Sequence, residues 1–325
     1  MRNPTIATEG PLTPRLCAIL ESVDPGASKR VSRVMVRQRR TNLVSEIHLT
    51  DGRALIVKQG RSDAAPMRFA TAHAASILLR GAGIEMPLTQ ILPDDETVLV
   101  YWCIDRATLH DTWATASGTR RRRLLESWGV LLDRLHAFEL RGFGPLSDPV
   151  LRRPHAGEFL RDDIEQRLLA LLQADLPDAV ESARALASFA AQLPATRSVV
   201  VHNDVFDQNV LCDDDRCTGL IDFEDAFAGP PEADFAKLEL LHGPLFGQPW
   251  AGDWLDIIRD TYTGALDEQV TAAFRCHALL NMSWHGVTIG LREHSRLLAV
   301  VAASEAALLG HGASHREAVD AARVS

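Results

Sequence analysis

SVVVHNDVFDQNVLCDDDRCTGLIDFEDAFAGPPEADFAKLE, running from Ser198 to Glu239, decides how the rest of this chain is read. Two apolar, strand-like runs, Val199–Val201 and Gly219–Phe223, flank a polar segment that holds His202, Asn203, Asp204, Asp207 and Asn209. Asp204 and Asn209 stand five apart, and Asp222 falls at the end of the second run. An acidic hairpin is the plain alternative, because Asp213–Asp215 has the composition of a solvated turn.

Such a turn leaves the spacing of the other polar residues unexplained. In kinase-type phosphoryl transfer, the Asp that takes the acceptor hydroxyl proton precedes a metal-binding Asn by about five residues. A second Asp after the next strand binds the metal that bridges the nucleotide phosphates. Asp204, Asn209 and Asp222 match this order. The residue types suit the chemistry, since hard oxygen ligands hold the magnesium that offsets the charge gathering on a transferring phosphoryl group. HNDVFDQNVL followed by LIDFEDAFAGPPEAD resembles the aminoglycoside phosphotransferase and choline kinase-like family, and DVFDQNVL is also similar to its homoserine kinase branch. Gly229 and Asp234 fall at the family's spacing too, whereas Asn203 stands where the usual loop reads His-Gly-Asp. The resemblance implies Asp204 as the base, Asn209 and Asp222 as Mg2+ ligands, and ATP or GTP as the phosphoryl donor.

Upstream, residues 1–28 are polar and proline-bearing around a short helical patch, Leu16–Val23. VSRVMVRQ, EIHLT and ALIVKQ then read as strands of a small antiparallel sheet, with Asp51-Gly52 marking a hairpin. Lys58 ends the third strand. An isolated strand lysine is ordinarily a solvated one, but the resemblance implies that Lys58 grips the nucleotide phosphates. The loop before Glu46 has no glycine, so Arg39, Arg40 and Asn42 are its candidates for touching phosphate. MRFATAHAASILLRGAG is a helix that ends at Gly81–Gly83. The family places a glutamate on this helix to pair with the strand lysine. No acidic residue occurs between Asp63 and Glu85, and Ala72 or His73 occupies the corresponding place. ETVLVYW is a buried strand leading into a hinge. The resemblance implies nucleotide-base contacts from the backbone around Tyr101, Trp102 and Cys103, with Trp102 either stacked on the base or part of the core.

Downstream, SGTRRRRLLESWGVLLDRLHAFEL spaces Leu124, Leu125, Trp128, Leu131, Leu132 and Leu135 along one helical face, with Ser117 as a candidate cap. The resemblance gives His136 and Asp234 structural roles in support of the catalytic loop. Two helices precede the decisive stretch, and the remainder is helical to a polar tail, HGASHREAVDAARVS, expected to fray. In HALLNMSWHGVTIGLREH, His277, Asn281, His285 and Thr288 form a polar stripe on a helix that is apolar nearly all round. Solvent is one destination for that stripe. An acceptor site is the other, with Asn281, Trp284 and His285 as substrate contacts and Trp250, Asp253 and Trp254 closing the far side.

The chain has 325 residues, 46% hydrophobic and 24% charged, which is enough for a large core. A net charge of −9 disfavours nucleic acid as a partner. No run approaches the ~18 apolar residues of a membrane span, and MRNPTIATEGPLTPRL lacks the apolar centre of a signal peptide. Five scattered cysteines fit a reducing cytoplasm; Cys212 and Cys217 bracket a turn and lack further zinc ligands at zinc-site spacing. The expected architecture is α+β, a two-lobed protein-kinase-like fold with a sheet-rich lobe over residues 1–101 and a helical lobe over 102–325. The expected activity is transfer of the γ-phosphoryl group of ATP or GTP to a small-molecule hydroxyl, on an antibiotic or natural product. A homoserine- or choline-type metabolic kinase and an inactive nucleotide-binding pseudokinase are the alternatives.

Overall fold

The computed structural model describes residues 8–38, 41–242, 253–288 and 291–309. Arg39, Arg40, Trp250 and the polar tail from residue 310 lie outside the described residues. The chain packs into two compact units, one of residues 1–117 with 207–225, the other of residues 118–206 with 226–325. This division differs from a boundary between residues 101 and 102, because the segment 207–225 packs with the first unit.

The first unit opens with β1 (Thr8–Glu9) and α1 (Pro14–Val23). The Thr13 hydroxyl accepts the Leu16 N–H at 3.2 Å, and Pro14 occupies the first helical turn, where its missing N–H costs nothing. β2 (Val31–Gln38), β3 (Asn42–Leu49) and β4 (Ala54–Gly60) follow as an antiparallel meander. Gly52, at φ +85°, makes the tight turn read from Asp51-Gly52. α2 (Ala65–Leu78), β5 (Gln90–Leu92), β6 (Asp95–Trp102), β7 (Ala107–Thr108) and α3 (Leu109–Thr115) come next. The strands lie in the order β1-β2-β3-β4-β6-β5. Because side chains alternate across a strand, Val34, Ile47, Leu55, Val57, Val98 and Val100 all pack with Leu16, Ile19 and Leu20 of α1. The opposite face presents Lys58, directly across from Leu99.

The hairpin of the decisive stretch joins this unit. β10 (Val210–Asp213) and β11 (Arg216–Leu220) pair antiparallel, and β10 also pairs with β7. Cys212 and Cys217 face each other across the ladder with Sγ atoms 3.9 Å apart, not joined by a disulfide. Gly219 lets β11 run hard against the segment before β5: a Cβ there would lie 2.2 Å from the Glu85 carbonyl oxygen. Backbone bonds from Glu85 to Thr218 and from Leu220 to Glu85, each 2.9 Å, use that closeness.

The second unit is mostly helical. α4 (Gly118–His136) buries the six apolar residues expected of it and packs on α8 (Trp254–Thr261). β8 (Gly144–Pro145), β9 (Val199–Val201) and β12 (Phe227–Gly229) make a small sheet in the order β8-β12-β9. α5 (Ala156–Gln173), α6 (Pro177–Ala190), α7 (Glu232–His242), α9 (Glu268–Thr288) and α10 (Arg292–Leu308) complete it. α9 touches α5, α6, α7 and α10, which accounts for its nearly continuous apolar surface. Among the described residues, no helix is long and apolar enough to cross a membrane.

Candidate active site

In the second unit, β9 delivers the chain into the polar segment, and a buried carboxylate fixes its course. Asp234, fully buried in the first turn of α7, accepts the His202 N–H at 2.9 Å and the Asn203 N–H at 2.7 Å. His136 at the end of α4 donates from Nε2 to the same carboxylate at 3.1 Å. Its Nδ1 then accepts from the Tyr262 hydroxyl at 3.1 Å, and Arg197 donates to that hydroxyl oxygen at 2.8 Å. A buried carboxylate is tolerated only when its oxygens are satisfied, and three donors meet this one. Asn203 takes φ +62°, a conformation that glycine adopts freely and asparagine better than other side chains. The departure from His-Gly-Asp thus keeps the backbone that the loop needs. Asp204 follows, half-buried, its N–H donating to His202 Nδ1 at 3.2 Å.

In the first unit, the hairpin gathers the two expected metal ligands. Asn209 ends a single 3-10 turn, and its carbonyl accepts the Ile221 N–H at 2.9 Å, next to Asp222. Asp222 itself is held at φ +69°. The donor set is an amide oxygen and a carboxylate, both hard ligands. Magnesium is commonly held by one or two carboxylates together with substrate phosphates and waters, so these residues fit it. Among the described residues no three His, Cys, Asp or Glu side chains gather into a metal cage.

Lys58 reaches this hairpin. Its Nζ donates to Asp222 Oδ1 at 2.9 Å and to Glu224 Oε1 at 2.6 Å. Burial alone works against the ammonium, but the Asp222 and Glu224 carboxylates outweigh it and hold the lysine pKa well above its usual value. Burial pulls Glu224 upward in turn; the ionised pair is the form that stands, since Lys58 and Arg68 both face that carboxylate. A cavity lined by Lys58, Ala72, Leu99, Tyr101, Asp222 and Glu224 opens beside the pair. Burial pushes the Tyr101 phenol up to about 12, so it stays a neutral donor near Lys58, whose Nζ lies 5.8 Å from the ring centre.

Several expectations need correction here, although His73 is not among them: its Nδ1 donates to the Thr89 carbonyl at 2.8 Å, while Ala72 is the α2 residue lining the cavity. Asn42 does not extend from a phosphate loop; it is buried and donates to Glu224 Oε2 at 3.0 Å. Trp102 falls on the α1 face by strand alternation, where Arg53 covers its ring at 4.4 Å, so it packs with the core and away from the Lys58 face. The Cys103 N–H is taken by the Ala54 carbonyl at 2.8 Å. The Glu224-Asp225 pair after Asp222 was visible as a resemblance to the antibiotic kinases, but the partnership of Glu224 with Lys58 was not, because 166 residues separate the two.

On α9, the expected stripe divides. His277 is buried, with Nε2 2.5 Å from Asp163 Oδ2 of α5 and 3.2 Å from the Asn281 amide. Arg167, also on α5 and ion-paired to Asp163, lies over the Trp284 ring at 5.3 Å. Asn281 and Trp284 are half-buried and His285 is exposed, whereas the Thr288 side chain lies outside the described residues. Trp254 is buried with Ile257 and Ile258 on the inner face of α8, and Asp253 precedes that helix.

The second unit thus holds a braced loop with Asp204, and the first a hairpin with Asn209 and Asp222 and a strand lysine paired to it; the fold is of the kinase-like class. Among solved structures, the chain is similar to the gentamicin complex of APH(2'')-IIa, at 15% identity and a TM-score of 0.65, over 94% of this chain and 98% of that one. It is similar to a thermostable mutant of aminoglycoside phosphotransferase APH(4)-Ia at 18% identity and a TM-score of 0.67, over 91% and 99%. Macrolide 2'-phosphotransferase type I gives 17% and 0.59, over 91% and 97%. No curated protein matches the chain. The family model for the phosphotransferase enzyme family matches residues 36–273, and the chain belongs to that family.

Proposed function

We propose that the chain is a magnesium-dependent O-phosphotransferase that moves the γ-phosphoryl group of ATP or GTP to an alcohol hydroxyl of a polar, ring-containing natural product. The observation that carries this reading is the pairing of Lys58 with Asp222 at 2.9 Å, which brings a cation to the hairpin that presents Asn209. Lys58 holds phosphate oxygens. Magnesium, held by Asn209 and Asp222 with those oxygens, would offset the charge on the transferring group. Asp204 accepts the proton of the acceptor hydroxyl as its oxygen bonds to the γ-phosphorus, the bond to the β–γ bridging oxygen breaks, and the nucleoside diphosphate leaves. Backbone around Tyr101 and Cys103 contributes to the base site, through groups other than the committed Cys103 N–H. Asn281, Trp284 and His285 contact the acceptor, with Asp163 and Arg167 supporting that wall. Five free thiols suit a reducing cytoplasm.

The test is a coupled nucleotide-consumption screen with magnesium against aminoglycosides, hydroxylated peptides, macrolides, nucleosides, homoserine and choline. Acceptor-dependent consumption with one of the ring-containing compounds is expected. Turnover of homoserine or choline alone would shift the reading to a metabolic kinase. Tight nucleotide binding without consumption for any acceptor would make the chain a binding module.

A further inference from the structure

A strand lysine needs a fixed counter-ion if its ammonium is to meet phosphates in one place, and α2 has no carboxylate to offer. Glu224 stands two residues beyond Asp222, inside the 3-10 turn Phe223–Asp225. Its side chain is 2% exposed, and both oxygens are occupied. Oε1 accepts from Lys58 of β4 at 2.6 Å; Oε2 accepts from Asn42 of β3 at 3.0 Å and lies 3.3 Å from Arg68 Nη2 of α2. Arg68 also donates to Asp225 at 3.1 and 3.2 Å, so α2 is tied to the same turn twice. Removing a buried carboxylate's charge while its cations remain is costly, because they are left uncompensated.

We infer that Glu224 is the positioning residue for Lys58, and that Arg68 carries the link to α2 with its charge sign reversed. The helix supplies a cation, the turn supplies the carboxylate, and the order of charges from helix to strand becomes plus, minus, plus. A carboxylate on α2 would reach the lysine directly. Here the connection passes through the turn that follows the metal ligand. The inference rests on the proposed grip of Lys58 on nucleotide phosphates.

Calorimetric binding to the full chain tests it, with magnesium and the non-hydrolysable β,γ-imido analogue of ATP or GTP, whichever binds tighter. The matching nucleoside without phosphates is the second probe. Glu224→Gln keeps shape and hydrogen bonding but removes the charge, and misplacing Lys58 should weaken triphosphate binding by roughly 10- to 10²-fold while nucleoside affinity holds. A merely structural role would move both affinities together, and that result overturns the inference. Ala72→Glu in the Glu224→Gln background puts a carboxylate on the α2 residue that lines the cavity with Lys58. It should restore at least part of the lost triphosphate affinity; no recovery would count against positioning. Where Glu224→Gln does not fold, Arg68→Gln replaces it and should weaken triphosphate binding several-fold, unchanged binding being the contrary result. Lys58→Ala separates the two readings. If it leaves triphosphate affinity intact, the phosphate grip itself is wrong; if it weakens binding and Glu224→Gln does not, only the role of Glu224 falls.

Discussion

At the scale of single residues, the loop that carries Asp204 depends on one backbone angle and one buried acid. Asn203 holds φ +62° between two N–H groups that Asp234 accepts. Asn203→Gly should therefore leave turnover nearly unchanged, whereas Asn203→Val should cost about 1–3 kcal/mol, the usual range for a forced left-handed residue. Thermal unfolding midpoints of the two variants check this. Asp204→Ala should lower kcat on the order of 10²–10⁴-fold with nucleotide affinity kept; near wild-type kcat would remove the base assignment. Asp204, Asn209 and Asp222 could be proposed from the sequence because they lie in one short stretch at the spacing of kinase-type phosphoryl transfer. The pairing of Glu224 could not, since its partner Lys58 is 166 residues away and the charge pattern on α2 is inverted. Asn203 is a departure in the alphabet at a position whose φ of +62° glycine would also adopt.

At the scale of elements, periodicity told which faces are buried but left open what meets them. The alternation of β6 already placed Trp102 with Val98 and Val100, so its core role could have been read from the strand alone. The near-continuous apolar pattern of α9 correctly signalled burial among helices. The fate of its polar stripe was hidden, because Asp163, which takes His277, comes from α5, 114 residues earlier. If the half-buried end of that stripe contacts the acceptor, Asn281→Ala and His285→Ala should raise the acceptor KM several-fold, in the range of about 0.5–1.5 kcal/mol for each net hydrogen bond, while the nucleotide KM holds. Steady-state kinetics with the acceptor found by the screen decide the matter. No change in either constant would return the stripe to the surface.

At the scale of the whole molecule, the ends of a long chain segment converge on one unit: Lys58 from the early sheet and residues 207–225 from the later sequence. A ligand that binds only the folded state stabilises it by about 2.7 kcal/mol at a hundredfold excess over its Kd. Nucleotide with magnesium should therefore raise the unfolding midpoint, and a chelator should reverse most of the gain. Asp222→Ala should abolish the magnesium-dependent part, because a ligand to the ion is gone. A shift insensitive to chelator would contradict the assignment of Asn209 and Asp222. The sheet-then-helix order of the chain was readable throughout, but the return of the hairpin to the first unit was not, since only three-dimensional packing shows it.

The closeness of Glu224 to Asp222 also bears on how such a chain changes over generations. Asp222, the proposed metal ligand, and Glu224, which pairs with the lysine, lie within three consecutive codons, so one short genetic event can remove both, and one short graft can carry both into another scaffold. The helix is correspondingly released: its inner face must keep a cation at Arg68, but no acid. Sorting members of this fold by the acid on that helix alone would overlook a counter-ion that another element supplies.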